Sequence, residues 1–493
     1  MLLSFLGNIN SDWQNLLYNA TIVLIILIYL GVIITLLIEN RDPVKSLAYI
    51  MVFLLLPGVG LLVYFLIGRD HRKQKKFTLK GSRDLMRLRE FIDIYKEYFI
   101  HVRQELELKF GDKSFISDLF LYTKQSILTE NNEVSILKNG EEKYKKLLED
   151  IHSAKHHIHL EYYIFDHDET GIEIAKALVE KASDGVIVRF IYDDFGSNNI
   201  GDIPGILENG NVEVISFDPL WMKLYTNANY RNHRKIVVID GTIGYVGGIN
   251  VSNKYDNRKE NSVYWRDTHI RIEGNAVNLL QMQFLLSYKY ASGDMTFPIE
   301  FPYFNYNQNK GEAFIDIVGS GPDSNEPYNM LGIISAINSA NSEVNITNPY
   351  FIPNAQILTA IEVASLSGKK VKLIVPKEAD SKFVQYAMNS YMKKMLEVGV
   401  EVYVYKKGFI HAKTITVDDN ISIVGTVNFD NRSFFINFEI AAYVYDKKVN
   451  SELREMFDID IQDCDKLILS EWQKRPIVTK FMESLCRLLT PLL

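Results

Sequence analysis

Apolar positions follow different rules in different parts of the chain. Leu16 to Ile38 is almost unbroken apolar sequence, long enough to cross a bilayer, and Leu47 to Ile67 is a second such run interrupted at Pro57-Gly58 and Gly60. Only Glu39 to Ser46 separates them, which predicts a transmembrane helical hairpin. A signal peptide is disfavoured for the first run: no basic segment precedes it, no small-residue cleavage site follows it, and a second run comes at once. From Arg83 to about Phe110 the spacing changes. Leu85, Leu88, Ile92, Tyr95, Phe99, Val102 and Leu106 step by three or four among charges, predicting an amphipathic helix that lies on a membrane surface or packs on a folded region.

Beyond this helix short β-branched runs alternate with helical stretches such as Gly171 to Ser183 and Ala355 to Ser367, and the pattern occurs twice. Ile158 to Phe165 is answered by Val344 to Phe351, Val186 to Tyr192 by Val371 to Val375, and Asn211 to Val214 by Val400 to Tyr403. Two α/β lobes are expected, with a seam in the Pro-, Asn- and aromatic-rich stretch from Ser292 to Lys310. The expected divisions are 1–68 for the two spans, 69–130 for a basic flank and the amphipathic helix, 131–300 for the first lobe and 301–493 for the second.

Each lobe carries one copy of His-x-Lys-x4-Asp: His233, Lys235 and Asp240, then His411, Lys413 and Asp418. An Asn stands seventeen residues after each His, at Asn250 and Asn428. The residues between Lys and Asp, Ile236 to Ile239 and Thr414 to Val417, read as strands entering hairpins. Two-residue turns at Gly241-Thr242 and Asp419-Asn420 would set His233 opposite Asn250 and His411 opposite Asn428. Period-two alternation puts His, Lys and Asn on one face and turns Asp240 and Asp418 to the other. Those two aspartates of the candidate catalytic motif are therefore read as structural.

An imidazole, an ammonium and a carboxamide on one face suit a phosphodiester. Lys and Asn hold non-bridging oxygens, while an imidazole attacks phosphorus or protonates a leaving oxygen. Doing both at once takes two histidines in opposite protonation states, and a duplicated half-site brought face to face supplies them. No metal or other cofactor is called for. His152, His156, His157 and His159 also crowd the first lobe, but no complete ligand set accompanies them, so they are read as structural or surface residues.

The 493 residues exceed a single core, and the net charge of -7 does not suggest a nucleic-acid partner. Arg69, Arg72, Lys73, Lys75, Lys76 and Lys80 follow the second apolar run, against Arg41 and Lys45 between the runs, so both chain ends are expected in the cytoplasm. The same cluster is a contact for anionic headgroups or a plain stop-transfer flank. Cys464 and Cys486 have neither metal-ligand nor redox spacing and suit a reducing compartment.

The paired motifs resemble the phospholipase D superfamily. The words around them, Arg231 to Lys235, Gly247-Gly248-Ile249-Asn250, Asn428 to Phe434 and Asn437-Phe438-Glu439, resemble its bacterial cardiolipin synthase branch. Arg41-Asp42-Pro43 and the closing Leu488 to Leu493 extend the similarity over nearly the whole chain. The resemblance implies two pseudo-twofold-related lobes with mixed sheets packed together and one active site at their interface. It also implies a carboxylate behind each histidine, at Glu439 and, by equivalence, Asp267. Within each half-site these are assigned as Asp267 to His233 and Glu439 to His411. Thr426, where the first half has Gly248, is expected to offer the phosphate a hydroxyl that the other half lacks.

The activity implied is a membrane-bound phosphatidyl transfer that joins two phosphatidylglycerols into cardiolipin and glycerol through a phosphatidyl-histidine. The residues leave the two histidines interchangeable; the resemblance points to His233 as the attacking one. Expected partners are phosphatidylglycerol and anionic membrane lipids, with the oligomeric state left open. Asp218 to Tyr225 and Gln281 to Tyr290, both aromatic-rich, either line an acyl path or belong to the core. A hydrolytic phospholipase D, a nuclease and a non-catalytic scaffold are the competing readings.

Overall fold

The computed structural model describes residues 2–38, 47, 50–51, 96–217, 230–260, 263–294, 301–305 and 308–490. Nearly all of the second apolar run, the basic cluster, residues 83–95 of the amphipathic stretch and the loop Asp218 to Tyr225 lie outside the described residues. The chain forms two compact units that divide after Arg69.

In the first unit helix Leu2–Ile38 begins well before the apolar run. Within it Asn15–Thr35 is long and apolar enough to cross a membrane, with mean hydropathy 2.5. Its two threonine hydroxyls are satisfied inside the helix, Thr21 Oγ1 on the Leu17 carbonyl and Thr35 Oγ1 on that of Gly31, each at 2.7 Å. Such back-bonding removes the cost of carrying a hydroxyl into hydrocarbon.

The second unit is built on strands β1 (Thr129–Lys138), β2 (His157–Tyr162), β3 (Ile187–Asp193), β4 (Glu213–Phe217), β5 (Ile236–Ile239), β6 (Ile243–Gly247), β7 (Tyr264–Arg266) and β8 (Thr268–Glu273) in the first lobe. The second lobe supplies β9 (Ala313–Ser320), β10 (Glu343–Thr347), β11 (Lys370–Pro376), β12 (Glu401–Tyr405), β13 (Gly408–Ile410), β14 (Thr414–Val417), β15 (Ile421–Gly425), β16 (Glu439–Tyr445) and β17 (Cys464–Lys466). The first lobe runs β1-β8-β6-β5-β2-β3-β4 and the second β9-β16-β15-β14-β10-β11-β12-β17. In each, two parallel pairs (β2-β3-β4 and β10-β11-β12) adjoin an antiparallel hairpin, so the repeat in the sequence is a repeat in topology. β1 pairs with β9 and joins both halves into one continuous sheet.

The halves also pack face to face. Val134, Ile236, Val246 and Ile270 from the first lobe share a buried cluster with Ile315, Val424, Ile440 and Val444 from the second. The strands at this interface are apolar on both faces because helices such as Glu169–Ser183 and Ala355–Leu366 cover their outer sides. The amphipathic helix, described over Lys96–Phe110, packs on the folded unit: Val102 and Leu106 are fully buried in the second lobe's core with Phe314 and Met330. Gln281 to Tyr290 is also core. It lies on helix Val277–Ser292, where Gln281, Phe284 and Leu285 are fully buried, so this segment does not line an acyl path.

The two motif hairpins have a different register from the one expected. Ile239 pairs with Ile243 and Val417 with Ile421, leaving three-residue turns, Asp240-Gly241-Thr242 and Asp418-Asp419-Asn420. Asp240 and Asp418 adopt left-handed conformations, φ 53° and 51°, which Asp tolerates better than most residues. The shift by one removes Asn250 and Asn428 from positions opposite the histidines. It leaves His and Lys, two apart on one strand, on a common face.

Both aspartates brace the fold at the far end of the hairpin. Asp240 accepts hydrogen bonds from the backbone N–H groups of Lys155, His156 and His157 at 2.8 to 2.9 Å. Asp418 does the same for Asn341, Ser342 and Glu343 and pairs with the Lys113 ammonium at 2.5 Å. The start of β2 and the start of β10 are thereby tied to their hairpin tips.

Candidate active site

His233 and His411 each sit just before a hairpin strand, and each is held by the opposite lobe. The His233 N–H donates to the Phe438 carbonyl at 2.9 Å, and Asn232 bridges Phe438 in parallel. The His411 N–H donates to the Arg266 carbonyl at 2.7 Å, where β13 runs parallel to β7. The residue after Phe438 is Glu439 and the residue after Arg266 is Asp267, so each histidine meets a carboxylate contributed across the interface. His233 Nδ1 lies 3.0 and 2.9 Å from the two Glu439 oxygens. His411 Nδ1 lies 2.7 Å from Asp267 Oδ2.

The pairing assigned from the sequence, Asp267 with His233 and Glu439 with His411, is therefore reversed. The carboxylates come from the expected strands, β16 and the β7–β8 junction, but those strands serve the other lobe's histidine. With Nδ1 engaged, Nε2 is the ring nitrogen left for chemistry. Both rings are nearly buried, 8% and 6% exposed, and both carboxylates are fully so.

Burial dominates the electrostatics. It pushes His233 down to about 4 against the opposing charge of Glu439. His411 is also lowered by burial, and the ammonium groups of Lys413 and Lys235 and the His233 ring disfavour a second charge beside them. Both imidazoles thus favour the neutral form, and charge on His233 disfavours charge on His411. Burial opposes ionisation of Glu439 too, but the His233 ring, Lys235 and Thr426 hold it below its ordinary range. Asp267 is pushed up to about 6 by burial, with Lys413 and the Thr268 N–H opposing. At 2.7 Å, Asp267 and His411 hold one proton between them.

Lys235 and Lys413 are buried and donate to the carbonyl of their own histidine, at 2.6 and 2.5 Å. Each makes one such hydrogen bond among the described residues and keeps further N–H donors for an anion. Burial lowers both, Lys413 to about 8, and a bound phosphate oxygen would favour their charged forms.

The other predicted contacts divide. Asn250 is committed to the scaffold: its Oδ1 accepts from the Ile164 N–H at 3.0 Å and its Nδ2 donates to Tyr255 at 2.7 Å. In the second half Asn348 accepts from the equivalent backbone, Tyr350 N–H, and from Phe429 N–H. That frees Asn428, whose buried Oδ1 has no hydrogen-bond partner among the described residues. Thr426 faces protein. Its hydroxyl donates to Glu439 Oε2 and accepts from the Ile440 N–H, which makes it a positioning residue for the carboxylate behind His233.

Gly248, its counterpart, makes room for the other carboxylate: a Cβ there would stand 2.2 Å from Asp267 Oδ1. The asymmetry expected between the halves is present, but it lies behind the histidines. Aromatic neighbours were not anticipated. Tyr163 stands edge-on to His233 at 4.9 Å, while Trp265, Phe409, Tyr255 and Tyr350 surround His411 at 5.4 to 6.3 Å. Trp265 adjoins the Asp267 word and Tyr350 the second lobe's repeat, yet nothing in their spacing marks them as site walls. The crowded histidines of the first lobe lie elsewhere; His157 and His159 are buried against Gln281 and Tyr303.

Comparisons with known proteins agree with this geometry. The family model for cardiolipin synthase, PLD-like domain, matches residues 147–281 and 333–461, and one for the phospholipase D-nuclease N-terminal region matches 22–69. The chain is 37% identical over 468 residues to a cardiolipin synthase of Alkalihalophilus pseudofirmus, covering 94% of this chain and 92% of that one. It is 38% identical over 469 residues to the major cardiolipin synthase ClsA of Bacillus subtilis, covering 92% and 95%. Among solved structures, phosphatidylserine synthase of Haemophilus influenzae shares the fold with TM-score 0.57 at 15% identity, over 73% of this chain and 95% of that one.

Proposed function

This chain belongs to the PLD-like cardiolipin synthase family, and on that footing we propose that it is a membrane-bound phosphatidyltransferase joining two phosphatidylglycerols into cardiolipin and glycerol. The observation that carries the reading is the pair of buried histidines, each with its Nδ1 on a carboxylate and an ammonium beside it.

His233 Nε2 attacks the phosphorus of the first lipid, and the bond to its glycerol headgroup breaks. His411 gives its proton to the departing glycerol oxygen. A hydroxyl of the second phosphatidylglycerol then returns a proton to His411 and attacks phosphorus, and the phosphorus–nitrogen bond breaks. Lys235, Lys413 and the free carboxamide of Asn428 hold the non-bridging oxygens. Burial first, and then Lys413 and Lys235, lower His411; an anionic phosphate opposes these effects and favours the charged acid once substrate is bound. Overall one phosphodiester replaces another by way of the phosphatidyl-histidine, so no nucleotide is required to drive the exchange.

Transfer is favoured over hydrolysis because the acceptor lipid is concentrated in the same bilayer. Two apolar runs and the basic residues after Ile67 support a multi-pass chain with both ends in the cytoplasm; the N-terminal family match, residues 22–69, takes in most of the first run and all of the second. Lipid mass spectrometry of a host lacking its own cardiolipin synthase, with and without this chain, is the test. New cardiolipin is expected. Phosphatidic acid in its place would make the protein a hydrolase, and unchanged lipids with cleavage of single-stranded DNA would make it a nuclease.

A further inference from the structure

The last helix of the folded unit, Ile477–Leu489, is inverted. Its two buried residues are Cys486, which joins the second lobe's core, and a carboxylate. Glu483, 3% exposed, is clasped by Arg475 at 2.5 and 3.0 Å, and Thr490 just beyond the helix meets Tyr391 and Asn431. Its outward side is apolar: Ile477, Val478, Phe481, Leu485, Leu488 and Leu489 recur at helical spacing and are 81, 69, 65, 44, 71 and 42% exposed. A surface helix of a soluble protein has the opposite arrangement. A contiguous exposed stripe of this kind marks a membrane or protein contact.

Two further observations favour lipid. The chain carries its own candidate span at Asn15–Thr35, so a bilayer accompanies the folded unit. Lys474, Lys480 and Arg487 flank the stripe, against Glu471 alone outside the Arg475–Glu483 pair, which suits an anionic headgroup layer.

We propose that the outward face of helix Ile477–Leu489 lies in the headgroup–acyl boundary of an anionic bilayer and sets the height at which the active site meets its lipid. The link to the site is short: Asn431 Nδ2 donates to the Thr490 carbonyl at 3.4 Å, and Asn431 is three residues from Asn428. This rests on the lipid-joining function proposed above for its purpose, but not for its test.

The test uses the full chain in vesicles of phosphatidylglycerol and phosphatidylcholine. A nitroxide is attached to Phe481→Cys, and separately to Leu488→Cys, in a Cys464→Ser background that leaves only the buried Cys486; Lys447→Cys serves as an aqueous reference. Collision with oxygen should rise and collision with a water-soluble nickel chelate should fall at both positions relative to Lys447→Cys. Nickel access equal to the reference would overturn the proposal, as would protection from both reagents, which would mean a second copy or another protein covers the face. Immersion is read whether or not cardiolipin forms, so an immersed label with no product would refute the assigned reaction and leave the docking intact. In the same vesicles Phe481→Glu with Leu488→Glu should lower lipid turnover by at least about tenfold, since losing two inserted apolar side chains weakens docking by more than that factor.

Discussion

Asp267 belongs to the first lobe and His411 to the second, yet Asp267 Oδ2 stands 2.7 Å from His411 Nδ1. Glu439 returns the exchange by holding His233. Each imidazole therefore acquires its tautomer and orientation from the other half of the chain.

This crossing separates the two chemical steps by mutation. With a phosphatidyl p-nitrophenol donor, whose leaving group departs without a proton, Asp267→Asn should spare attack by His233 and impair deprotonation of the incoming hydroxyl by His411, so a lipid adduct on His233 should accumulate. Glu439→Gln should slow formation of that adduct instead. Turnover should fall about 10²- to 10⁴-fold in both. Intact-protein mass spectrometry after a short incubation with that activated donor distinguishes them; an adduct that accumulates in Glu439→Gln and not in Asp267→Asn would reassign the roles.

Thr426 and Gly248 should differ in severity. Thr426→Val removes one hydrogen bond to Glu439 and should lower kcat about tenfold with KM little changed. Gly248→Ala drives a methyl group into Asp267 and should abolish turnover of phosphatidylglycerol while His233 remains able to take up lipid from the p-nitrophenyl donor. Steady-state kinetics in mixed micelles reads the first and adduct trapping the second.

Asn428 and Asn250 should part in the same way. Asn428→Ala should weaken phosphate binding and turnover with the melting temperature nearly unchanged. Asn250→Ala strips a partner from Tyr255 and from the Ile164 N–H and should lower stability by about 1–3 kcal/mol. Calorimetry and kinetics on the same two samples decide the matter.

Asp418→Ala leaves three backbone donors and the Lys113 ammonium without their acceptor and should cost about 3–5 kcal/mol. Its carboxyl is held far below the usual carboxylate range, by Lys113 and those donors against the effect of burial. The stability it contributes is present above the unfolded value near 4 and is lost as pH falls below it. Thermal melts of wild type and variant should converge in acid.

Buried histidines give a second acid sensitivity at higher pH. Burial lowers His157 from 6.5 to about 4, and His159 and His411 shift the same way. The unfolded chain binds more protons than the folded one between these values, so stability should decline as pH drops from about 6.5 toward 4. Each group adds to that decline. His159→Gln should flatten the slope of melting temperature against pH in that interval.

The paired motifs, the internal repeat and the first apolar span could be read from residue spacing, because period-two alternation and uninterrupted apolar runs are local properties. The crossing could not. Spacing places Glu439 and Asp267 on strands beside their own hairpins, but which histidine each reaches depends on how β13 meets β7 and how Asn232 meets Phe438. The hairpin register failed by one residue because Asp240 and Asp418 enter the left-handed region, which adds a residue to each turn. Thr426 failed because a hydroxyl facing a site looks the same in sequence whether it meets substrate or a neighbouring carboxylate.

The exchange of carboxylates also governs what happens if the chain is divided between helix Val277–Ser292 and β9. Neither fragment would be a weaker version of the whole: each would retain an imidazole stripped of its counter-ion and a counter-ion with nothing to steady. Catalysis in a mixture of the two fragments would be a direct count of reassembled pairs, and two different crippling substitutions, Asp267→Asn on one full-length chain and Glu439→Gln on another, could not rescue each other without trading whole lobes.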